Sequence, residues 1–292
     1  MSETIQAIIA AGHALDRGIG HRRVRFVERT AEADLVLMAF KDPAPRYAIL
    51  VELPAAAAPE VAGNLPGDLL DVTLVPASIA LQEGPLATNQ LFSELPKAGD
   101  APDVPRPVSV KYRGVELIWR PGHALLQCDP EQTEPLLAAV IEFSHYEREL
   151  RRIEREIADA WADLEQDKSL AFEVVSADLH RSQAVGARMN RVLQRRIRHA
   201  RIAPHLCQPE AGLPEGSQKL GEELREKARI EARLEAVDGQ LEVFEGIYEM
   251  GGQRMGEYRA AQQEHVLEWI IIALLAAEIL LMLAQVLWRQ RL

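Results

Sequence analysis

Twenty residues, WIIIALLAAEILLMLAQVLW from Trp269 to Trp288, constrain this chain more than any other stretch. Within them, Ile270 to Leu287 form a run of 18 residues whose only polar members are Glu278 and Gln285. At about 1.5 Å rise per residue a helix of this length covers roughly 30 Å, the thickness of a bilayer core. A helix apolar on every side needs cover on every side, so a membrane span is the expected reading. The alternative is a buried helix of a soluble bundle. Trp269 and Trp288 suit the two membrane interfaces, and Arg289 and Arg291 suit the headgroups beyond. Arg254 and Arg259 balance them on the other side, so the positive-inside count is tied. The simplest topology is a tail anchor with residues 1–265 facing the cytoplasm.

Glu278 sits at the midpoint of this run, where a carboxylate costs about 2.5–3.5 kcal/mol on insertion scales. It is therefore expected to be protonated, paired or turned toward protein. Gln285 follows seven residues later on the same helical face, and Ala273, Ala277 and Ala284 line a stripe where a second helix can come close. Helix–helix hydrogen bonding in a homo-oligomer is the favoured role. A merely tolerated glutamate and a proton or ion relay are the alternatives.

The net charge of −11 argues against general nucleic-acid binding, and DNA is not an expected partner. The charge is uneven: residues 169–209 carry seven arginines against two acids, between two acidic stretches. Two cysteines, Cys128 and Cys207, make neither a disulfide framework nor a metal spacing, which fits a reducing compartment. The start, MSETIQAIIAAG, has neither a basic region followed by an apolar core nor an Arg-rich amphipathic character. A bacterial inner membrane is the expected location.

Residues 1–128 read as an α/β head. TIQAIIAAG, ADLVLMAF, RYAILVEL, DVTLVP and VELIWRP are short apolar runs bounded by Pro, Gly and Asp, as strands are. LPAAAAPEVAGNLPGD and LPKAGDAPDVPRP read as loops, the second as an internal linker. Residues 129–205 read as two amphipathic helices. The first, about 35 residues long, places Leu136, Val140, Phe143, Leu150, Ile157 and Leu164 on one face. The second, from about Ser169, carries Phe172, Val175, Leu179, Val185, Met189 and Val192. It also carries Arg188, Arg191, Arg195 and Arg198 at spacings of 3, 4 and 3. That stripe either pairs with acidic faces of neighbouring helices or meets anionic lipid or ribosomal RNA. Residues 206–216 read as a Pro/Gly linker.

Residues 217–268 read as a coiled-coil helix. Ile230, Leu234, Val237, Leu241, Phe244, Tyr248, Gly251, Met255, Tyr258, Gln262, His265 and Trp269 alternate steps of four and three. This helix and the transmembrane helix, 269–288, are expected to form one rod of about 70 residues, roughly 105 Å long, that Gly251 and Gly252 can bend. The first and third helices can pack antiparallel in one chain, or third helices from several chains can supercoil.

Catalytic motifs are lacking. The sequence has no P-loop, no G-x-G-x-x-G after a strand, no H-E-x-x-H and no G-x-S-x-G. His13 and His21 lack carboxylate neighbours at a persuasive metal spacing. No catalytic residue, metal or cofactor is nominated, and an enzyme or small-ligand sensor in residues 1–128 stays as the alternative.

HVLEWIIIALLAAEI, following RLEAVDGQLEVFEGIYEM, resembles the terminal signature of the "required for meiotic nuclear division" family. The matching positions are Leu267, Glu268, Trp269, Ile270, Ile271, Ile272 and Glu278, with Arg233 and Leu234 in the preceding run. The similarity runs from about Asp178 to Leu283, and HRSQAVGARMNRVLQRRIRHARIAP matches the family's helix in outline. His205-Leu206-Cys207-Gln208 stands where the family commonly has an aromatic linker. The resemblance implies an α+β fold with a helical hairpin and a C-terminal anchor. A mitochondrial relative is implicated in holding translation at the inner membrane. A membrane scaffold contacting lipid, copies of itself, and a ribosome or another protein complex is thus the expectation.

Overall fold

The computed structural model describes residues 20–31, 35–51, 68–77, 106–209 and 212–289, and side chains as far as Met282. The runs TIQAIIAAG, LPAAAAPEVAGNLPGD and most of LPKAGDAPDVPRP, with His13, lie outside the described residues. So do the side chains of Ala284, Gln285, Trp288, Arg289 and Arg291.

The fold is α+β. Its strands are β1 Gly20–Val27, β2 Leu35–Phe40, β3 Arg46–Val51, β4 Leu69–Pro76, β5 Val108–Tyr112, β6 Val115–Arg120 and β7 His123–Cys128. They form one mixed sheet in the order β2-β3-β1-β4-β7-β6-β5. Neighbours run antiparallel except β4 against β7. Four of the expected runs fall on β2, β3, β4 and β6. Between β5 and β6 the two-residue turn uses positive φ at both Arg113 (45°) and Gly114 (84°), the geometry that matches strand twist.

Four helices follow: α1 Thr133–Asp167, α2 Ser182–Cys207, α3 Glu215–Lys227 and α4 Ile230–Arg289. The six apolar residues assigned to the face of the first helix are all buried in α1, at 4 % exposure or less. Three helical expectations need correction. The second helix begins at Ser182, because Lys168–Ala171 and Ser176–Arg181 form two short 3-10 turns, and Phe172 and Val175 between them are exposed. The Asp178 carboxylate accepts the Val175 N–H at 3.0 Å, a local bond that competes with the helix. Helix α2 runs past Pro204 to Cys207, two residues into the expected linker, and the Pro204 carbonyl accepts from the Gln208 N–H at 3.2 Å. The third helix is two helices, divided at Arg229 with φ 53°. The rod is therefore 60 residues, about 90 Å, and it passes Gly251 and Gly252 without interruption.

The chain divides into two units, Met1–Glu156 with Arg196–Asp238, and Ile157–Arg195 with Gly239–Leu292. In the first unit the opening turns of α1 cover one face of the sheet. Trp119 meets Phe143 edge to face at 4.9 Å between centroids and donates its indole N–H to Ser144 Oγ at 2.9 Å. His145 stacks on Phe40 at 3.9 Å, and Tyr146 stacks on His205 of α2 at 4.4 Å. Each fully buried large side chain here stabilises by about 1.5–3 kcal/mol. Buried among them, Arg225 of α3 donates to Glu142 at 3.2 Å and to the carbonyls of Gly221 and His205 at 3.1 and 3.0 Å. Arg233 of α4 holds Glu154 through two bonds, 2.8 and 2.7 Å, and Glu147 through one of 2.9 Å.

In the second unit Trp161 meets Phe244 at 5.0 Å, and Leu170 lies against Gly251. Both sequence positions increase together, so α1 and α4 run in the same direction there. The antiparallel neighbours are α1 and α2, through Asp163 with Arg188 and Asp167 with Arg181. Chain reversals before and after α2 restore the direction of α1, which is why the expected antiparallel pairing of first and third helices does not form.

Candidate functional site

The heptad positions of α4 change character along its length. Ile230, Leu234, Val237, Leu241, Phe244, Tyr248 and Met255 are buried in the chain's own fold, at 7 % exposure or less. Gln262, His265 and Trp269 are exposed. From Val266 to Met282 the helix is mostly apolar and exposed on all sides. Val266, Leu267, Trp269, Ile270 to Ile272, Leu274, Leu275 and Ile279 to Met282 are each 49–71 % exposed. Ala273, Ala277 and Glu278 lie in the same exposed stretch. Among the described residues this is the one helix long and apolar enough, by length and composition, to cross a membrane. Half-exposing a large apolar side chain in water forgoes about 1 kcal/mol, so the stretch forgoes on the order of 10 kcal/mol. A helix of this length and composition is compatible with a membrane anchor.

The arginine stripe of α2 is largely occupied by the fold. Arg188 donates to Asp163 at 3.0 Å and to Asp167, whose side chain is 1 % exposed. Burial works against the Arg188 charge, but Asp167 and Asp163 outweigh it and hold its pKa up. Arg198 is held by both carboxylate oxygens of Glu156. Arg195 is half-buried within electrostatic reach of Tyr248, whose hydroxyl is pushed up to about 12 by burial and then by Asp167. Arg191 is exposed. The four residues are thus not one free cationic surface; Arg188 and Arg198 tie α2 to α1.

The sheet face that α1 does not cover holds a polar row that sequence reading missed. Register places Arg23 of β1 opposite Asp71 of β4, Asp71 opposite His123 of β7, and His123 opposite Arg120 of β6. Arg23 grips Asp71 through two bonds, 2.7 and 2.9 Å. In the adjoining row, Thr73 Oγ1 lies 3.2 Å from His21 Nδ1. Burial and the neighbouring Arg120 hold His123 down to about 4, against the pull of Asp71, so it is neutral near pH 7. The only available signal was period-2 alternation: in GHRRVRFV the buried Val24 and Phe26 interleave with Arg23 and Arg25. Among the described residues no group of His, Cys, Asp or Glu has the arrangement to hold a metal ion.

No protein-family model matches this chain, and no curated protein matches it.

Proposed function

We propose that this chain is an oligomeric scaffold fixed to a membrane by the apolar part of α4, displaying its sheet unit and helices to partners on the cytoplasmic side of a bacterial inner membrane. The observation that carries the reading is the all-round exposure of apolar side chains from Val266 to Met282. The energetics of insertion support it despite Glu278. Eleven Ile, Leu and Val residues between Trp269 and Trp288 contribute about −0.3 to −0.6 kcal/mol each. Their sum, about −5 kcal/mol, exceeds the roughly 3 kcal/mol that Glu278 costs at the centre. Hydrogen bonding of Glu278 between copies, with Ala273 and Ala277 permitting close approach, would recover part of that cost. Translation machinery is the partner class that the resemblance to the meiotic nuclear division family suggests, with Arg191 as the exposed point of contact. The heptads of α4 contribute to self-association, on this reading, only beyond Met255.

Alkaline carbonate extraction of membranes tests the anchor: the full-length chain is expected in the pellet, and a chain recovered in the supernatant refutes it. Protease protection of vesicles then fixes the orientation, with the sheet unit expected to be digested from the cytoplasmic side.

A second reading, a membrane-attached ligand-binding protein or enzyme, is favoured by the row Arg23–Asp71–His123–Arg120. Its polar groups converge on one sheet face, and a strongly shifted histidine among charged partners is a feature of functional sites.

A further inference from the structure

Two faces of α4 repeat every seven residues. The first, through Leu241, Phe244, Tyr248, Gly251 and Met255, is buried against the chain's own helices, with Trp161 on Phe244 and Leu170 on Gly251. The second is offset from it by two residues, which on a helix is about 200°, the opposite side. It begins with Gly239, Val243, Gly246 and Met250, in the consecutive heptads GQLEVFE and GIYEMGG. Val243 and Met250 are each 45 % exposed, and a Cβ at Gly239 or Gly246 would meet nothing within 4 Å. Glycine weakens a helix interior, and no neighbour among the described residues requires it at these two positions.

The same spacing runs on into the apolar stretch. Past a polar middle, Gln253 to Glu264, it falls on Leu267, Ile271, Leu274, Glu278 and Leu281, all exposed. A strict seven-residue repeat stays on one face only when helices wind about each other left-handedly, as paired helices do.

Charge says what fits this face. In a parallel pair of such helices the residue before Met250 in one copy faces the residue after Gln253 in the other, which sets Glu249 against Arg254. Glu249 is exposed and has no cationic partner among the described residues, and Arg254 meets only its own neighbour Glu257, at 3.2 Å on an exposed surface. An antiparallel pair would instead bring Glu242 and Glu249 against each other. Parallel is also the direction that two copies anchored the same way in one bilayer must take. Glu257 and Glu264 put like charges on this face, so its middle opposes association and its two apolar ends carry it.

We propose that the second face of α4, from Gly239 to Leu281, is where two copies of this chain pair, in parallel and in register. The inference rests on the oligomeric anchor reading above and names its interface. Gly239 and Gly246 let the two backbones come close, Val243 and Met250 pack across the axis, and Glu278 meets Glu278 of the second copy.

The test uses the full-length chain carrying Cys207→Ser, with buried Cys128 retained, in phosphatidylcholine vesicles recovered by flotation. Single cysteines go on the second face (Met250→Cys) and off it (Gly252→Cys), both at exposed positions. Mild oxidation is expected to link Met250→Cys into dimers and to leave Gly252→Cys monomeric. In detergent, sedimentation equilibrium should show Glu249→Arg weakening the dimer about tenfold and Glu249→Arg/Arg254→Glu restoring it. A dimer that links at 252 as readily as at 250 overturns this face and leaves the oligomer standing. So does a dimer that Glu249→Arg leaves unchanged, or one that the double variant fails to restore. A chain monomeric at every concentration overturns the oligomer reading and this inference together. Protein that does not float removes the anchor, and with it the shared direction on which the pairing depends.

Discussion

Removing the Glu142 carboxylate should destabilise the sheet unit far more than an ordinary helix substitution. Glu142 and Arg225 have side chains 3 % and 5 % exposed and meet at 3.2 Å. Burial alone lowers the Arg225 pKa, and Glu142 is the main influence opposing that. In Glu142→Leu the guanidinium keeps the Gly221 and His205 carbonyls but loses its counter-charge, and its Nε already has no partner among the described residues. Breaking a buried pair from one side costs about 3–5 kcal/mol, because the surviving charge is stranded. For a folded part of this size that is a fall in melting temperature on the order of 10 °C. The assay is thermal unfolding of the detergent-solubilised full-length chain, followed by near-ultraviolet circular dichroism, which reports Trp119 packed on α1. The double variant Glu142→Leu/Arg225→Met should recover most of the loss, since no charge is left buried. A single-variant loss under about 1 kcal/mol, or a double variant as unstable as the single, would refute the reasoning.

Gly221→Ala should destabilise, although the same change in an exposed helix interior gains about 0.5–1 kcal/mol. A Cβ there would lie 2.9 Å from Arg225 Nη1 and 3.4 Å from Pro209 Cβ, both held in place; a raised melting temperature would contradict this. Arg188→Glu should weaken the second unit by setting a carboxylate beside Asp163 and Asp167, whereas Arg191→Glu should leave stability unchanged and alter only partner recovery in crosslinking. Equal melting temperatures for the two variants would refute the assignment. Acid should weaken the sheet unit. Burial and Arg148 hold His145 down to about 3, against 6.5 when unfolded, so between these values the unfolded chain binds more protons and stability falls as pH falls. At pH 5 the loss is about 2 kcal/mol. His145→Phe should flatten that slope in melting temperature measured from pH 7 to pH 5, and an unchanged slope would exclude His145 as the source.

Long periodic segments were legible in the sequence. The face of α1 and the stripe from Ile230 to Met255 are buried as their spacing requires, and the apolar run near Trp269 is one exposed helix. What the spacing could not state was the partner: a heptad pattern serves an intramolecular neighbour as well as another chain, and here α4 meets its own α1. The strand β1 was illegible because three arginines mask an alternation whose apolar members are only Val24 and Phe26 among fully buried positions. The polar row Arg23–Asp71–His123–Arg120 unites residues up to 100 positions apart, and only the register of β4 beside β7 brings them together. The stripe of α2 was legible as a stripe, but whether its charges were spent on Asp163, Asp167 and Glu156 depended on the direction of α1.

No joint interrupts α4 between the buried positions Leu241 to Met255 and the apolar stretch that begins at Val266. An unbroken screw converts axial travel into rotation, about 100° for each residue of rise. Were lipid thickness to shift the span by one residue, the groups around Tyr248 would have to turn with it or the thread would have to strip. If α4 crosses a bilayer as proposed, the depth of that bilayer sets the helix's angular position, and thinner or thicker lipid would act as torque on the Trp161–Phe244 contact.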